Sequence, residues 1–374
     1  MAARPDSAGQ MHGLARPRRR ASTAERPYAA LDLGTNNCRM LIAWPGGNRS
    51  GNALEIVESV SRTVSLGMDL ERSGILSEAG MGRVLRTMHL CASRLRRHAV
   101  SRMHLVATEA CRQARNGREL IRLVERETGL LLEIIPPELE ARLALTSCAP
   151  LVAPEAEHLL VFDIGGGSTE LIWIDLSSVA EPERRRAVLE LAPLRGRLST
   201  EGRLGARIVD WISVPLGVAT LHQRHQDVDE DRARFALMSC YFEEMVAGFG
   251  PAAIWGDAPA GLQVIGTSGT ITTVAAAHLG LQRYSRERVD GLWIATADVD
   301  RMIERILAAP HAARSRHPAI GPQRATLIVA GTAILQALLR LWPVPRLRVA
   351  DRGLREGILY AMMHEDGLFR AEAI

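Results

Sequence analysis

The chain has 374 residues, of which 47% are hydrophobic and 24% charged, and its formal net charge is +4. This length accommodates two domains with cores of their own. All 46 basic residues are arginine, which excludes a Walker A loop, a Schiff base and a lysine general base. Aromatic residues make up only 4%, so we expect no stacking platform for single-stranded nucleic acid and no nucleic-acid partner.

The cysteines and the apolar runs indicate the compartment. The five cysteines are odd in number and widely spaced, and no Cys-x-x-Cys pair occurs, which is typical of reduced thiols in the cytoplasm. No apolar run approaches the roughly 18 residues of a membrane span, and residues 1–26 lack the apolar stretch of a secretory signal. We therefore expect a cytoplasmic protein with no membrane partner and a disordered basic tail at residues 1–26.

The first predicted elements form a hairpin. An apolar run that begins at Tyr28 is followed by a turn that contains Asp32 and Gly34, and a second apolar run covers residues 40–44. This pattern predicts two strands joined by a tight turn. The next predicted elements are a strand at 54–66, a helix at 77–98, a strand at 104–107, a helix at 109–128, a strand at 130–135 and a helix at 138–148. Their order indicates an α/β domain at residues 27–148.

The same scheme starts again after a proline-containing connector at 149–158. A second hairpin surrounds Asp163 and Gly165. Residues 177–206 are rich in arginine, glutamate, glycine and proline, so we predict a surface insertion that is partly mobile. Further strands are predicted at 211–215, 263–265 and 346–350, with helices at 219–224, 229–248, 270–279 and 323–341. These elements indicate a second α/β domain at 149–353, and we expect a C-terminal helix at about 354–374 to pack back on the first domain.

Three glycine-containing turns carry the chemistry. The two Asp-x-Gly turns place backbone N–H groups beside a carboxylate, an arrangement that suits a phosphate and its metal ion. A third glycine loop joins a strand to a helix, whose N-terminus adds further donors. The candidate phosphate-binding residues in these turns are Gly34, Thr35, Asn36, Gly165, Gly166, Gly167, Ser168, Gly266, Thr267, Ser268 and Gly269. Two similar turns suggest two similar half-molecules that face one ligand.

Six segments resemble the exopolyphosphatase and guanosine pentaphosphate phosphatase family (Ppx/GppA), within the actin, sugar kinase and Hsp70 superfamily. They lie in family order between residue 28 and about 360. The most specific segments are the string Asp-Ile-Gly-Gly-Gly-Ser-Thr-Glu at 163–170 and the upstream Glu-Ala-Arg at 140–142; the others are Asp-Leu-Gly-Thr-Asn at 32–36, Ala-Thr-Glu-Ala-Cys-Arg-Gln-Ala-Arg-Asn at 107–116, Gly-Thr-Ser-Gly-Thr at 266–270 and Arg-Gly-Leu-Arg-Glu-Gly at 352–357.

The resemblance implies two ribonuclease-H-like (actin-like ATPase) domains with the active site in the cleft between them. It implies magnesium-assisted hydrolysis of the terminal phosphate of inorganic polyphosphate or guanosine pentaphosphate. Both substrates are strongly anionic, so both stay open. A homodimer would be unsurprising for the family.

The resemblance also assigns roles to side chains outside the turns. The family's catalytic glutamate corresponds to Glu140, which would orient and deprotonate the attacking water. Family members usually carry another glutamate directly before it, where this chain has Leu139. Arg112 is our candidate for a contact with substrate phosphate, and Arg355 is a weaker one. The candidate magnesium ligands, acting directly or through water, are Asp163, Glu170 and Asp32.

Two other functions are compatible with these motifs. A kinase of the same superfamily would have similar loops, but sugar kinases tend to place an aspartate base further along, within the second half. A non-enzymatic sensor of nucleotides or polyphosphate would bind tightly without releasing phosphate. The position of Glu140 ahead of the second turn favours water activation, and therefore a hydrolase.

Overall fold

The computed structural model describes residues 27–45, 54–68, 70–100, 102–191, 194, 199–250 and 259–368. The predicted tail at 1–26 and the last six residues of the predicted C-terminal helix lie outside these ranges. Within them, no helix is long and apolar enough to cross a membrane.

The first half of the chain forms a five-stranded sheet with helices. Its elements are β1 (Tyr28–Leu33), β2 (Asn37–Pro45), β3 (Leu54–Thr63), α1 (Leu70–Ser73), α2 (Glu78–Arg97), β4 (Arg102–Ala107), α3 (Glu109–Gln113), α4 (Gly117–Thr128), β5 (Leu132–Ile134) and α5 (Pro137–Cys148). The strand order is β3-β2-β1-β4-β5. The first three strands are antiparallel, whereas β4 and β5 run parallel to β1. This is the predicted ribonuclease-H-like arrangement.

The second half repeats this order and adds one strand. Its elements are β6 (His158–Ile164), β7 (Thr169–Asp175), α6 (Arg184–Leu189), β8 (Arg207–Val214), α7 (Val218–Arg224), α8 (Asp231–Met245), β9 (Leu262–Thr267), α9 (Gly269–His278), α10 (Arg286–Val289), β10 (Trp293–Ala295), α11 (Thr296–Ala308), α12 (His311–Arg316), α13 (Ile328–Leu341), β11 (Arg346–Ala350) and α14 (Leu354–Glu365). The sheet order is β10-β11-β9-β6-β7-β8. Strands β8, β7, β6, β9 and β11 therefore correspond to β3, β2, β1, β4 and β5, which confirms the predicted repeat.

The two hairpins have the same turn. The Gly34 N–H donates to the Asn37 carbonyl at 2.9 Å, and the Gly165 N–H donates to the Ser168 carbonyl at 2.9 Å. Across the strands Asp32 lies opposite Arg39 in the first hairpin, and Asp163 lies opposite Glu170 in the second. Both hairpins thus carry an aspartate at the end of their first strand and a charged partner opposite it.

The helix predicted at 109–128 is two helices, α3 and α4. The break is set by contacts from distant parts of the chain. The Asn116 side chain accepts a hydrogen bond from the Leu76 N–H at 2.8 Å and donates to the Leu76 carbonyl at 3.0 Å. At Gly117, an added Cβ would lie 2.1 Å from the Cys111 carbonyl oxygen. The chain therefore folds back on α3 before α4 begins.

The segment at 177–206 is not simply a surface insertion. Helix α6 lies within it and buries Ala187, Val188 and Leu189 against the second sheet. The buried Arg142 of α5 donates to the carbonyls of Leu191 at 3.0 Å and Ser199 at 2.6 Å. The short apolar run within an arginine-rich segment supplies a packing face that overall composition did not reveal.

Helices α5 and α14 connect the two halves. Leu354, Ile358 and Leu359 of α14 pack in one cluster with Tyr28 of β1, while the end of α5 packs in the cluster of the second sheet. At Gly357 an added Cβ would lie 1.9 Å from a backbone oxygen of α5. The two helices therefore pack backbone against backbone between the sheets.

Candidate active site

A cleft between the two halves contains two adjoining cavities of about 450 and 580 Å³. Both are lined by Asp32, Arg39, Ser268, Gly269 and Arg324. These shared residues come from both halves of the chain, as an interdomain site requires. We call the smaller cavity the turn cavity and the larger one the Glu140 cavity.

The turn cavity holds most of the predicted phosphate-binding backbone. Its lining includes Gly34, Thr35, Asn36, Gly165, Gly166, Ser268 and Gly269. The other four predicted residues, Gly167, Ser168, Gly266 and Thr267, line neither cavity. Their positions in the structure show packing and hydrogen-bonding roles instead.

Those packing roles are specific. An added Cβ at Gly266 would lie 2.5 Å from the Phe162 ring, and one at Gly167 would lie 2.2 Å from the Thr35 hydroxyl. Thr267 is buried and its hydroxyl donates to the Arg352 carbonyl. Gly167 and Gly266 therefore allow neighbouring groups to approach closely. A sequence pattern does not distinguish this use of glycine from ligand binding.

The backbone N–H groups of the second hairpin turn point away from α7. The carbonyls of Gly165 and Gly166 accept hydrogen bonds from the Val218 and Ala219 N–H groups at 2.9 and 2.8 Å. Because the C=O and N–H of a trans peptide point in opposite directions, the N–H groups of the next two residues face the other way. Gly217 makes this packing possible, since a Cβ there would lie 2.5 Å from the turn.

The third loop is held in an unusual conformation. Ser268 has φ 85° and ψ −175°, a region that is essentially restricted to glycine. It precedes α9, so free N–H groups of the first helical turn face the cleft. The Ser268 hydroxyl also hydrogen-bonds to Asp163 and offsets a small part of the rise that burial causes in the pKa of that carboxyl. The backbone strain thus accompanies a contact between the loop and the second hairpin.

Four carboxyl groups converge at the base of the cleft. Burial raises the pKa of Asp163 to about 6, with a further contribution from Asp32. Burial, followed by the charge of Asp163, raises the pKa of Glu170 to about 7. Burial also raises the pKa of Asp32, against the charges of Arg39 and Arg355. For Glu140, burial and the Glu170 charge raise the pKa well above its ordinary range.

Arg112 hydrogen-bonds to the carboxylate of Glu140, the predicted catalytic base. Its Nη1 donates to Glu140 Oε2 at 2.7 Å and to the Ile135 carbonyl at 2.8 Å. Its Nε and Nη2 donate to Glu109 Oε2 at 2.9 and 2.6 Å. These contacts favour a positioning role over the phosphate contact that we predicted. Leu139 packs into the core beside the first sheet, so its side chain does not face the cleft.

The predicted metal ligands occupy different depths. Asp32 and Asp163 line the cleft, whereas Glu170 is buried behind them, where the Ser213 hydroxyl donates to its Oε1 at 2.9 Å. Within the described ranges, no group of three or more His, Cys, Asp or Glu side chains is close enough to hold a metal ion alone. Magnesium usually binds through one or two carboxylates together with water and substrate phosphate, and this hard oxygen donor set fits that mode.

The sequence reasoning missed Arg39 and Arg324, which line both cavities. Arg39 could have been found from the repeat, because it lies opposite Asp32 just as Glu170 lies opposite Asp163. Arg324 precedes α13 and donates to the Thr273 hydroxyl at 2.6 Å; no local motif marked it. Arg355 lines the Glu140 cavity beside Asp32.

Comparisons with known proteins agree with this fold. Residues 47–366 match the model of the Ppx/GppA phosphatase family, and the chain belongs to that family. A Haemophilus influenzae protein named as a candidate exopolyphosphatase is 25% identical over 339 residues, which cover 90% of this chain and 91% of that protein.

Two solved structures are similar over nearly their whole length. The crystal structure of the Aquifex aeolicus Ppx/GppA family member has 25% identity and a TM-score of 0.67, covering 91% of this chain and 98% of that one. An exopolyphosphatase from Cytophaga hutchinsonii has 24% identity and a TM-score of 0.72, with the same coverage, and shows the fold. The family resemblance seen in the sequence is thereby confirmed.

We predict that Glu170→Gln stabilises the metal-free protein at alkaline pH. Burial raises the pKa of Glu170 to about 7 in the folded chain. The contribution of Glu170 to the free energy of unfolding is therefore fully present below the ordinary glutamate pKa and is lost as the pH rises through 7. The glutamine side chain of the variant does not ionise, so the variant avoids this loss of stability. In the presence of a metal chelator, we expect the melting temperature of the variant to lie a few degrees above that of the unmodified chain at pH 8.5 and to show no gain at pH 4. The exposed Glu119→Gln is the control, and an equal gain at both pH values would contradict the assignment.

We predict that Arg112→Gln lowers kcat by roughly 10- to 100-fold with KM changed by less than about twofold, because the variant loses the hydrogen bond that fixes the direction of the Glu140 carboxylate. Glu109→Gln, which loosens Arg112 without touching Glu140, should lower kcat by less. Steady-state kinetics on protein shown to be folded by circular dichroism measures both. A large rise in KM at unchanged kcat would instead indicate the phosphate contact.

Proposed function

We propose that the protein is a Mg²⁺-dependent phosphohydrolase that releases the terminal phosphate of inorganic polyphosphate or guanosine pentaphosphate. The observation that carries the proposal is the division of the cleft. The hairpin turns line one cavity and Glu140 lines the other, with Asp32, Arg39, Ser268 and Gly269 between them. In-line phosphoryl transfer needs the attacking and leaving oxygens on opposite sides of the phosphorus.

The terminal phosphate would lie at the residues shared by the two cavities. The N–H groups at the start of α9 and the guanidinium groups of Arg39 and Arg324 would surround its oxygens. Phosphoryl transfer asks a protein mainly for positioning and neutralisation of charge. In a chain without lysine, arginine and backbone amides supply that positive charge. The remaining phosphates of the substrate would extend along the turn cavity.

Glu140 would act as the general base from the other cavity. Its raised pKa makes the carboxylate a better proton acceptor than an exposed glutamate. The carboxylate takes a proton from water as the water oxygen bonds to the terminal phosphorus, and the bridging oxygen leaves with the shortened substrate. Arg112 fixes the direction of the carboxylate throughout.

Asp32 and Asp163 would hold Mg²⁺ directly, with Glu170 behind them acting through water. The bound ion would neutralise charge on the phosphate oxygens. Four carboxyl groups with raised pKa values in one cleft are consistent with a site that functions with a cation. This support comes from the donor chemistry, since side chains in the described part of the chain do not complete a coordination shell by themselves.

The test is Glu140→Gln. We expect it to reduce orthophosphate release from long-chain polyphosphate and from guanosine pentaphosphate by 10²–10⁴-fold or more, while binding of both substrates is retained. Glu138→Gln, on the same helix but paired with Arg142, should keep most of the activity. Undiminished hydrolysis by Glu140→Gln would contradict the role of Glu140 as general base.

The same assay separates the other two functions. A kinase would need an added acceptor before phosphate leaves the donor. A sensor would bind polyphosphate or guanosine pentaphosphate and release no orthophosphate even as the unmodified chain. Comparing the specific activity on the two substrates then identifies the preferred one.

A further inference from the structure

Two arginines share one aromatic ring at an edge of the second sheet. Strand β10 is the edge strand, and its Trp293 lies directly opposite Arg348 of β11. The guanidinium carbons of Arg346 and Arg348 are 4.3 and 5.0 Å from the centre of the Trp293 ring. We call Trp293, Arg346 and Arg348 the Trp293 patch. It lies outside the two cavities of the cleft.

The positive charge of the patch is poorly compensated. Among the described residues, neither Arg346 nor Arg348 has a carboxylate oxygen within 4.0 Å. The Nε of Arg348 is buried and has no hydrogen-bond partner in the described part of the chain. Burial and the nearby charges of Arg185, Arg346 and Arg352 lower the pKa of Arg348, and only Asp290 opposes them.

Asp290 is already engaged elsewhere. Its Oδ2 accepts from Arg352 Nε at 2.8 Å and its Oδ1 accepts from the Asp351 N–H at 3.0 Å. Asp290 therefore attracts Arg348 only from a distance, while the like charges of Arg185, Arg346 and Arg352 oppose that attraction. Like charges held this close are unfavourable unless an anion lies between them.

Gly291 brings the backbone close to the Arg348 guanidinium. Gly291 precedes β10 with φ 80°, and an added Cβ there would lie 3.4 Å from Arg348 Nη2 and 3.8 Å from its Nε. Leu151 Cδ2 lies 3.4 Å from the same position, so a gap of about one methyl group separates Gly291 from the Arg348 guanidinium. Arg346 is exposed, so the patch can be reached from solvent.

We propose that the Trp293 patch is a second binding site for phosphate oxyanions, separate from the cleft. Guanidinium groups match phosphate geometry through paired N–H donors, and the stacked tryptophan holds both groups in place before the ligand arrives. The phosphate belongs either to a distant part of a polyphosphate chain or to a small molecule such as orthophosphate. Binding at the patch does not depend on hydrolysis.

The test is a pair of calorimetric titrations, one with inorganic orthophosphate and one with polyphosphate of about 100 phosphate units, both in the presence of a metal chelator so that the polyphosphate is not hydrolysed. The variant is Arg346→Gln/Arg348→Gln. The matched control is Arg232→Gln/Arg340→Gln, which removes the same charge from exposed arginines paired with Glu304 and Glu243.

We expect the patch variant to bind at least one ligand tenfold or more weakly, and the control to stay within about twofold of the unmodified chain. Loss for polyphosphate alone assigns the patch to a distant part of the polymer, loss for orthophosphate alone assigns it to small phosphates, and loss for both supports a general oxyanion site. Equal affinities of the patch and control variants for both ligands would overturn the proposal.

Two further measurements keep the test interpretable. If the double variant is unstable, the single Arg346→Gln change at the exposed position should still weaken binding by about threefold or more. Release of phosphate from guanosine pentaphosphate should be unchanged in both patch variants, since neither arginine lines the cleft. A result that overturns phosphate binding at the Trp293 patch is therefore distinguishable from one that overturns the proposed hydrolase activity.

Discussion

The burial of four carboxyl groups around one cleft is the constraint on which the site depends. Asp32 comes from the first half of the chain, Glu140 from the helix between the halves, and Asp163 and Glu170 from the second. Burying charges near one another is costly unless each gains a partner. The serines that bond to Asp163 and Glu170, and the arginines beside Asp32 and Glu140, supply those partners.

Close backbone packing keeps these groups at fixed positions. The second hairpin turn rests on α7 through Gly217, and α14 rests on α5 through Gly357. Because α5 carries Glu140 and Arg142, the same helix that brings Glu140 to the cleft also holds the segment around Leu191. Movement of one half relative to the other would therefore change the distance between Glu140 and the hairpin turns.

The elements that the sequence predicted well are local ones. Both hairpins follow from apolar runs on either side of an Asp-x-Gly turn, and their hydrogen bonds lie within a few residues. The break between α3 and α4 depends on Leu76, far away in sequence. The partners of Arg112 could not be predicted either, because tertiary packing alone brings Glu140 beside it. Gly266 matched a ligand-loop pattern, but the Phe162 ring occupies its open side.

The central claim is that water held by Glu140 attacks the terminal phosphorus of the substrate. Hydrolysis of polyphosphate in water enriched with oxygen-18, limited to the first phosphate released from each chain and followed by mass spectrometry of the orthophosphate and of the shortened chain, tests it directly. The account predicts one solvent oxygen in each orthophosphate and none in the shortened chain. Unlabelled orthophosphate with the label retained in the chain would contradict it, because the attack would then fall on another phosphorus.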